Sequence, residues 1–399
     1  MKSGRIRFFI LILGLLIGCG GGGGSGSSGG GGAPPAANNV LLVTVNGSLC
    51  SNNSSLNKAC VSVTVCTPGT ATCQTINDIV LDTESFGLRV FKQALNVSLA
   101  QVSSGSGLLA ECIQFADGSS EWGPVQTASV ILGNEPAVQV PIQVIDSTFG
   151  TPVSSQCGIP DPSPSVAGFN GILGVGLFAH DCGAGCTNSA NNGRYYNCSG
   201  SGSGSNCTGT AVALDSQVQN PVALLPQDNN GVIVQLPSVP VGGSPSVNGS
   251  LVLGIGTQSN NMPSGVTAYT VDQFGEFSTT FNGTSYLGFI DSGSNGLFFS
   301  TTLLADCPAP NPVWFCPSST VGLSATNTGA SGSPSTAVSF QIGNFDSLLS
   351  SSNRAFADIG GPGPPGIFDW GLPFFFGRNV FVGLEGKGST LGTGPYWAY

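Results

Sequence analysis

The chain has 399 residues, and only 8% of them are charged, against about 25% in an ordinary soluble domain. Glycine and proline together exceed a fifth of the chain, which with the scarcity of charged helix formers excludes a helical bundle or coiled coil. The formal net charge is −10, too acidic for a phosphate-binding patch, and a single histidine, His180, excludes multi-histidine metal centres. The composition suits an extracytoplasmic β-protein with a surface of Ser, Thr, Asn and Gly.

In chain order, Lys2, Arg5 and Arg7 precede an apolar run from Phe8 to Ile17, too short for a membrane-spanning helix of about 20 residues. A basic start followed by a short apolar run describes an export signal. The run ends Leu16-Ile17-Gly18-Cys19, which resembles the bacterial lipobox. The resemblance implies a signal peptide over 1–18 and lipidation of Cys19. Gly20 after the cysteine points to the outer membrane, on a side the sequence leaves open. A cleaved signal with an incidental cysteine is the alternative. Gly20–Gly32 contains only Gly and Ser, and Ala33-Pro34-Pro35-Ala36 stiffens its exit, so 19–37 reads as a tether.

Twelve further cysteines, an even number in an exported chain, predict disulfides, with Cys198–Cys207 and Cys307–Cys316 as plausible local pairs. β-Branched runs at Val40–Val45, Val61–Val65, Ser129–Leu132, Val138–Val140, Gly231–Val234 and Ser250–Leu253 predict strands. Short helical turns are expected at Phe91–Asn96 and Thr301–Asp306. Ser/Gly-rich loops are expected at Ser199–Ser205 and Ser324–Ser335.

One internal repeat carries the functional reading. A shift of 209 residues aligns Val80-Leu81-Asp82-Thr83-Glu84-Ser85-Phe86-Gly87-Leu88 with Phe289-Ile290-Asp291-Ser292-Gly293-Ser294-Asn295-Gly296-Leu297, without a gap. In each copy an apolar strand stops at an aspartate flanked by hydroxyl residues. Brought together across a pseudo-two-fold axis, Asp82 and Asp291 would share one proton, because adjacent like charges cannot both ionise. One carboxyl would then act as acid and the other as base toward a water molecule. The bland alternative is two aspartates in ordinary β-turns.

With these two loops the sequence resembles the pepsin-like aspartic proteases. The resemblance implies an all-β, bilobal fold with pseudo-two-fold related lobes, here over 38–225 and 226–399. It implies Asp82 and Asp291 as catalytic residues, Thr83 and Ser292 as cross-braces between the loops, and Gly293 within the second loop. Ser85 and Ser294 would be donors to the outer carboxylate oxygens. Phe169-Asn170-Gly171-Ile172-Leu173-Gly174 and Asp369-Trp370-Gly371 match the apolar-apolar-Gly elements behind the loops. Gln114-Phe115-Ala116-Asp117-Gly118-Ser119 matches a flap tip, with Phe115, Asp117 and Gly118 over substrate and Asp-Gly as the turn signal.

Two positions depart from the family pattern. Phe115 stands where a tyrosine is usual, and Glu84 replaces the first-loop glycine, adding a third carboxyl and a Cβ that restricts the backbone. Glu84 therefore reads as a disabling or modulating substitution. Arg89 is expected either to pair with Glu84 or to lie exposed on a strand.

The functional expectation is a lipid-anchored aspartic endopeptidase acting on peptide or protein. It would be monomeric, without cofactor or metal and without nucleic acid. The alternatives are a non-catalytic peptide- or ligand-binding lipoprotein on the same scaffold and a structural lipoprotein with no cleft. A Ser-His-Asp hydrolase built on His180-Asp181 lacks a nucleophile elbow. Trp122 and Trp370 are groove or core residues.

Overall fold

A computed structural model describes residues 37–399 except 52–54, 151–152 and 200–205. The export signal, Cys19 and the tether lie outside the described residues. Among those described, the chain is all-β: seventeen strands join in one hydrogen-bonded network, seven form a second sheet and two form a small ribbon. No described helix is long and apolar enough to cross a membrane.

All six expected strand segments fall on strands, Leu132 alone lying one residue past the end of Ser120–Ile131. Val40–Val45 keeps its predicted bounds, and Val61–Val65 sits within Ala59–Cys66, where Val61, Val63 and Val65 are buried. Val40–Val45 pairs antiparallel with Val247–Leu253, Val43 lying opposite Gly249. Gly231–Leu236 and Arg378–Gly383 extend the same network. The first and last parts of the chain are thus stitched together across the expected division at 225/226. The seven-stranded sheet holds the strands between Phe277 and Trp370.

The helical turn expected at Phe91–Asn96 is the 3-10 turn Lys92–Ala94. The one expected at Thr301–Asp306 is absent. Thr301 Oγ1 accepts from Leu303 N, and Asp306 is drawn into a bridge with Phe315 beside the Cys307–Cys316 disulfide. The loop expected at Ser324–Ser335 is also corrected. Val321–Thr328 and Ser335–Ile342 form an eight-pair hairpin, with the chain turning between them. Within the Ser324–Ser335 stretch the buried side chains, Ala325 and Asn327, are small or polar, so the two-residue alternation was hidden in a polar-looking run. Asn327 is buried because it accepts from Thr279 Oγ1 and donates to the Tyr399 hydroxyl. The expected Ser199–Ser205 loop lies outside the described residues but for Ser199.

All twelve cysteines beyond Cys19 are paired: Cys50–Cys60, Cys66–Cys73, Cys112–Cys157, Cys182–Cys186, Cys198–Cys207 and Cys307–Cys316. Five close short loops, and the two pairs expected from spacing are among them. Cys112–Cys157 spans 45 residues and ties the strand Gly107–Gln114 to the 3-10 turn Ser155–Cys157. Replacing both Cys112 and Cys157 by serine releases the longest constrained loop and is expected to cost about 2–4 kcal/mol. A urea titration of the double variant checks this, and an unchanged midpoint would contradict it.

Candidate active site

The repeated segments build the same three-strand unit twice. In the first, Cys73–Asp82 runs into a loop and returns as Phe86–Phe91, and Gly171–Val175 inserts between them. Gly171–Val175 is parallel to the outgoing strand and antiparallel to the returning one. In the second, Thr284–Ile290 and Leu297–Phe299 flank Ile367–Trp370 in the same sense.

The register is also the same. Val80 and Leu81 face Ile172 and Leu173, while Phe289 and Ile290 face Asp369 and Trp370. Leu88 faces Leu173, and Leu297 faces Trp370. Glycine follows in both inserted strands because the strand passes directly under the loop. A Cβ on Gly174 would lie 2.5 Å from Phe86 N, and one on Gly371 would lie 2.1 Å from Gly296 O.

Each outgoing strand ends in a buried isoleucine or leucine followed by the aspartate, so the carboxyls emerge at the sheet ends. The two loops are then locked to each other. Thr83 Oγ1 donates to Ile290 O at 2.8 Å and accepts from Ser292 N at 3.0 Å. Ser292 Oγ donates to Leu81 O at 2.7 Å. Thr83 and Ser292 are both buried and cross-brace the loops as expected.

The brace brings Asp82 and Asp291 to the same place, where both carboxyls lie against Gly293 and line one cavity. A Cβ placed on Gly293 would stand 3.0 Å from Asp82 Cγ and 3.1 Å from Asp291 Oδ1, so Gly293 leaves room for both carboxyls. Asp82 Oδ1 accepts from Glu84 N at 2.8 Å and Ser85 N at 3.1 Å. Asp291 Oδ1 accepts from Gly293 N at 2.7 Å, and Ser294 Oγ donates to Asp291 Oδ2 at 2.8 Å. Desolvation, together with the neighbouring Asp82, pushes the Asp291 carboxyl up to about 8.

Three expectations need correction. Ser85 reaches Asp82 through its backbone N–H, and its buried hydroxyl has no partner, so among the described residues only Ser294 is a hydroxyl donor to the pair. Arg89 neither pairs with Glu84 nor lies exposed. It is fully buried, donating to Glu111 Oε1 at 2.7 Å and Asp181 Oδ2 at 3.1 Å, because its strand is covered on both faces. The backbone at Glu84 is not strained, since neither Glu84 nor Gly293 has a positive φ.

Glu84 does carry its carboxyl into the pair's surroundings. Desolvation raises it well above its ordinary range, with Asp291, Asp82, Asp369 and Glu276 adding to the rise. Asp369 is raised in the same way, by burial first and Asp291 next. Glu84 and Asp369 therefore both feel the charge of the pair.

A cavity of about 310 Å³ lies over Asp82 and Asp291. Phe115 and Asp117, at the tip of the hairpin formed by Gly107–Gln114 and Ser120–Ile131, line it. Gly118 does not line it. Its φ of 88° makes the turn, and Gly118 N donates to Phe115 O. Lys58 also lines the cavity but is committed to Asp78 Oδ1 at 2.7 Å and Gly168 O at 2.8 Å. Trp122 and Trp370 are fully buried core residues, and His180 is partly exposed in a loop.

Sequence reasoning passed over Asn57, whose side chain donates to Asn295 O and Phe356 O and accepts from Phe356 N, joining the cleft rim to the far end of the chain. It also passed over Asp369 as a site residue. Asn57 gave no signal, whereas the acid replacing the apolar residue in Asp369-Trp370-Gly371 was visible.

A family model described as "Protein of unknown function (DUF3443)" matches residues 35–399. The chain belongs to the DUF3443 family. Comparison with curated proteins gives no match. The match extends over both three-strand units and both aspartates, so the whole cleft lies within the DUF3443 region.

The raised carboxyls set the pH dependence of stability. Asp291 rises from an ordinary value of 3.8 to about 8, and Glu121, buried near Asp161, rises from 4.5 to about 9. Between those values the folded chain holds protons that the unfolded chain has released, so stability falls as pH rises. Thermal unfolding is expected at its highest temperature in mild acid, declining from about pH 5 to pH 9, with a shallower decline in Asp291→Asn combined with Glu121→Gln. A melting profile that is flat or climbs over this window would contradict the assignment.

Proposed function

We propose that this DUF3443 protein is a pepsin-like, bilobal aspartic endopeptidase, anchored to the cell envelope through lipidated Cys19, whose Asp82 and Asp291 activate water. The observation that carries the reading is the meeting of these two carboxyls against Gly293, at the junction of two three-strand units of identical register. An internal duplication that ends each copy in an aspartate, and cross-braces the two ends, suits a symmetric general acid–base pair.

In this mechanism Asp291 holds the shared proton and Asp82 is the base. A water bound between them attacks the peptide carbonyl carbon. Its proton passes to Asp82 while the Asp291 proton moves to the carbonyl oxygen, giving a neutral tetrahedral diol. Asp82 then gives its proton to the amide nitrogen while one diol hydroxyl returns its proton to Asp291, so the C–N bond breaks to an acid and an amine and the pair regains its single proton on Asp291. The Phe115–Ser119 turn would lie over an extended peptide in the cleft.

Glu84 favours a second reading, a peptide-binding protein without catalysis. A third carboxyl close to the pair competes for its proton and for the water's position. The two readings separate in one experiment on the soluble domain with an unfolded protein as substrate. The protease reading expects cleavage in acid, fading as pH rises toward 8 and the pair loses its proton, and at least about a hundredfold loss in Asp291→Asn. Absence of cleavage at any pH, with cleavage appearing in Glu84→Gly, would assign the wild type to binding. Cleavage unaffected by Asp291→Asn would overturn the dyad mechanism.

A further inference from the structure

The two three-strand units differ at one paired position that faces the cleft. In the first unit Val80 and Ile172 are register partners, and both line the cavity over Asp82. The equivalent partners in the second unit are Phe289 and Asp369, which line an adjoining cavity of about 130 Å³. Ala116, Asp117, Ser294, Asn295 and Phe298 line both cavities, so the two are neighbouring stations along one groove.

The second station is built differently from the first. Its walls are Phe289, Phe298, Trp314 and Ile367, and among the described residues no lysine, arginine or histidine lines it. Asp369 sits among these apolar groups, only 8% exposed, and its Oδ1 has no hydrogen-bond partner. Asp117, exposed at the hairpin tip, places a second carboxylate at the rim.

A buried carboxyl with one unpaired oxygen in an apolar slot keeps its proton unless something cationic enters to take the proton's place. A long basic side chain meets every feature of the slot. Its methylenes lie along apolar walls. Its charged head gains a charge-assisted hydrogen bond at Asp369. The aromatic faces of Phe298 and Trp314 add cation–π attraction. An apolar side chain would fill the walls and leave Asp369 unpaired.

We propose that this cavity is a specificity subsite for a lysine or arginine side chain of an extended peptide, with Asp369 as the residue that recognises its charge. The proposal rests on the reading of the cleft as a peptide groove. The station beside it, lined by Val80 and Ile172, takes an apolar neighbour, so the preferred sequence pairs a basic with an apolar residue.

The test uses two sets of peptides that differ only in carrying Arg, Lys or Leu at the position examined. One set is cleavable, and the other replaces the scissile amide by a reduced, non-cleavable bond and is measured by calorimetric binding. The Arg and Lys peptides are expected to be cut and bound about tenfold or more better than the Leu peptide, and Asp369→Asn to erase that preference. Cleavage that depends on Asp291 but ignores the basic residue, or a basic preference that survives Asp369→Asn, overturns the subsite and leaves the protease reading standing. Asp369-dependent binding of the basic peptides without turnover of any peptide keeps the subsite and removes the catalytic reading. Failure of all peptides to bind overturns both.

Discussion

Three hydrogen bonds made by the Thr83 and Ser292 hydroxyls hold the cleft floor together, and they join segments more than 200 residues apart. Each is buried, and each has a backbone group of the opposite loop as partner. Losing the Thr83 hydroxyl would strand Ile290 C=O and Ser292 N–H, at about 1–3 kcal/mol for each unpaired buried group. The aspartates have no other reason to meet, since two carboxylates repel. The brace supplies the constraint, and the raised Asp291 carboxyl, by keeping its proton, eases the repulsion.

The low charge content of the chain sharpens this arrangement. Where charges are rare, those that are buried stand out. Arg89, Glu111, Asp181 and Tyr195 form one enclosed network, with the Tyr195 hydroxyl donating to Asp181 at 2.6 Å and accepting from Val218 N at 2.7 Å. Every cation there has an anion beside it. The cleft floor is the opposite case: Asp82, Asp291, Glu84 and Asp369 gather without a basic partner among them. Burial therefore raises Asp291, Glu84 and Asp369, and the site stores protons.

Much of this was legible in the residues. Strands of β-branched residues report themselves by alternation, and the Asp82 and Asp291 loops could be paired because the duplication kept their spacing. The brace was legible too, through Thr83 and Ser292. What failed to show depends on contacts distant in sequence. Arg89 looked available to Glu84, five residues away, but its partners come from Glu111 and Asp181 on other segments. The Ser324–Ser335 stretch looked like a loop because its buried alternate residues are alanine and asparagine rather than valine. Ser85 shows that a hydroxyl matching a motif need not point where the motif suggests. Asn57 joins Asn295 and Phe356 through an amide that no local pattern marks.

The central claim is that Asp82 and Asp291 form one proton-sharing pair. Carbon-13 NMR titration of the aspartate side-chain carboxyls addresses it directly. The account predicts that Asp291 titrates near 8 and that the replacement Asp82→Asn, which removes the neighbouring charge, lowers that value. Two carboxyls that titrate independently in the ordinary range near 4, each indifferent to substitution of the other, would contradict it.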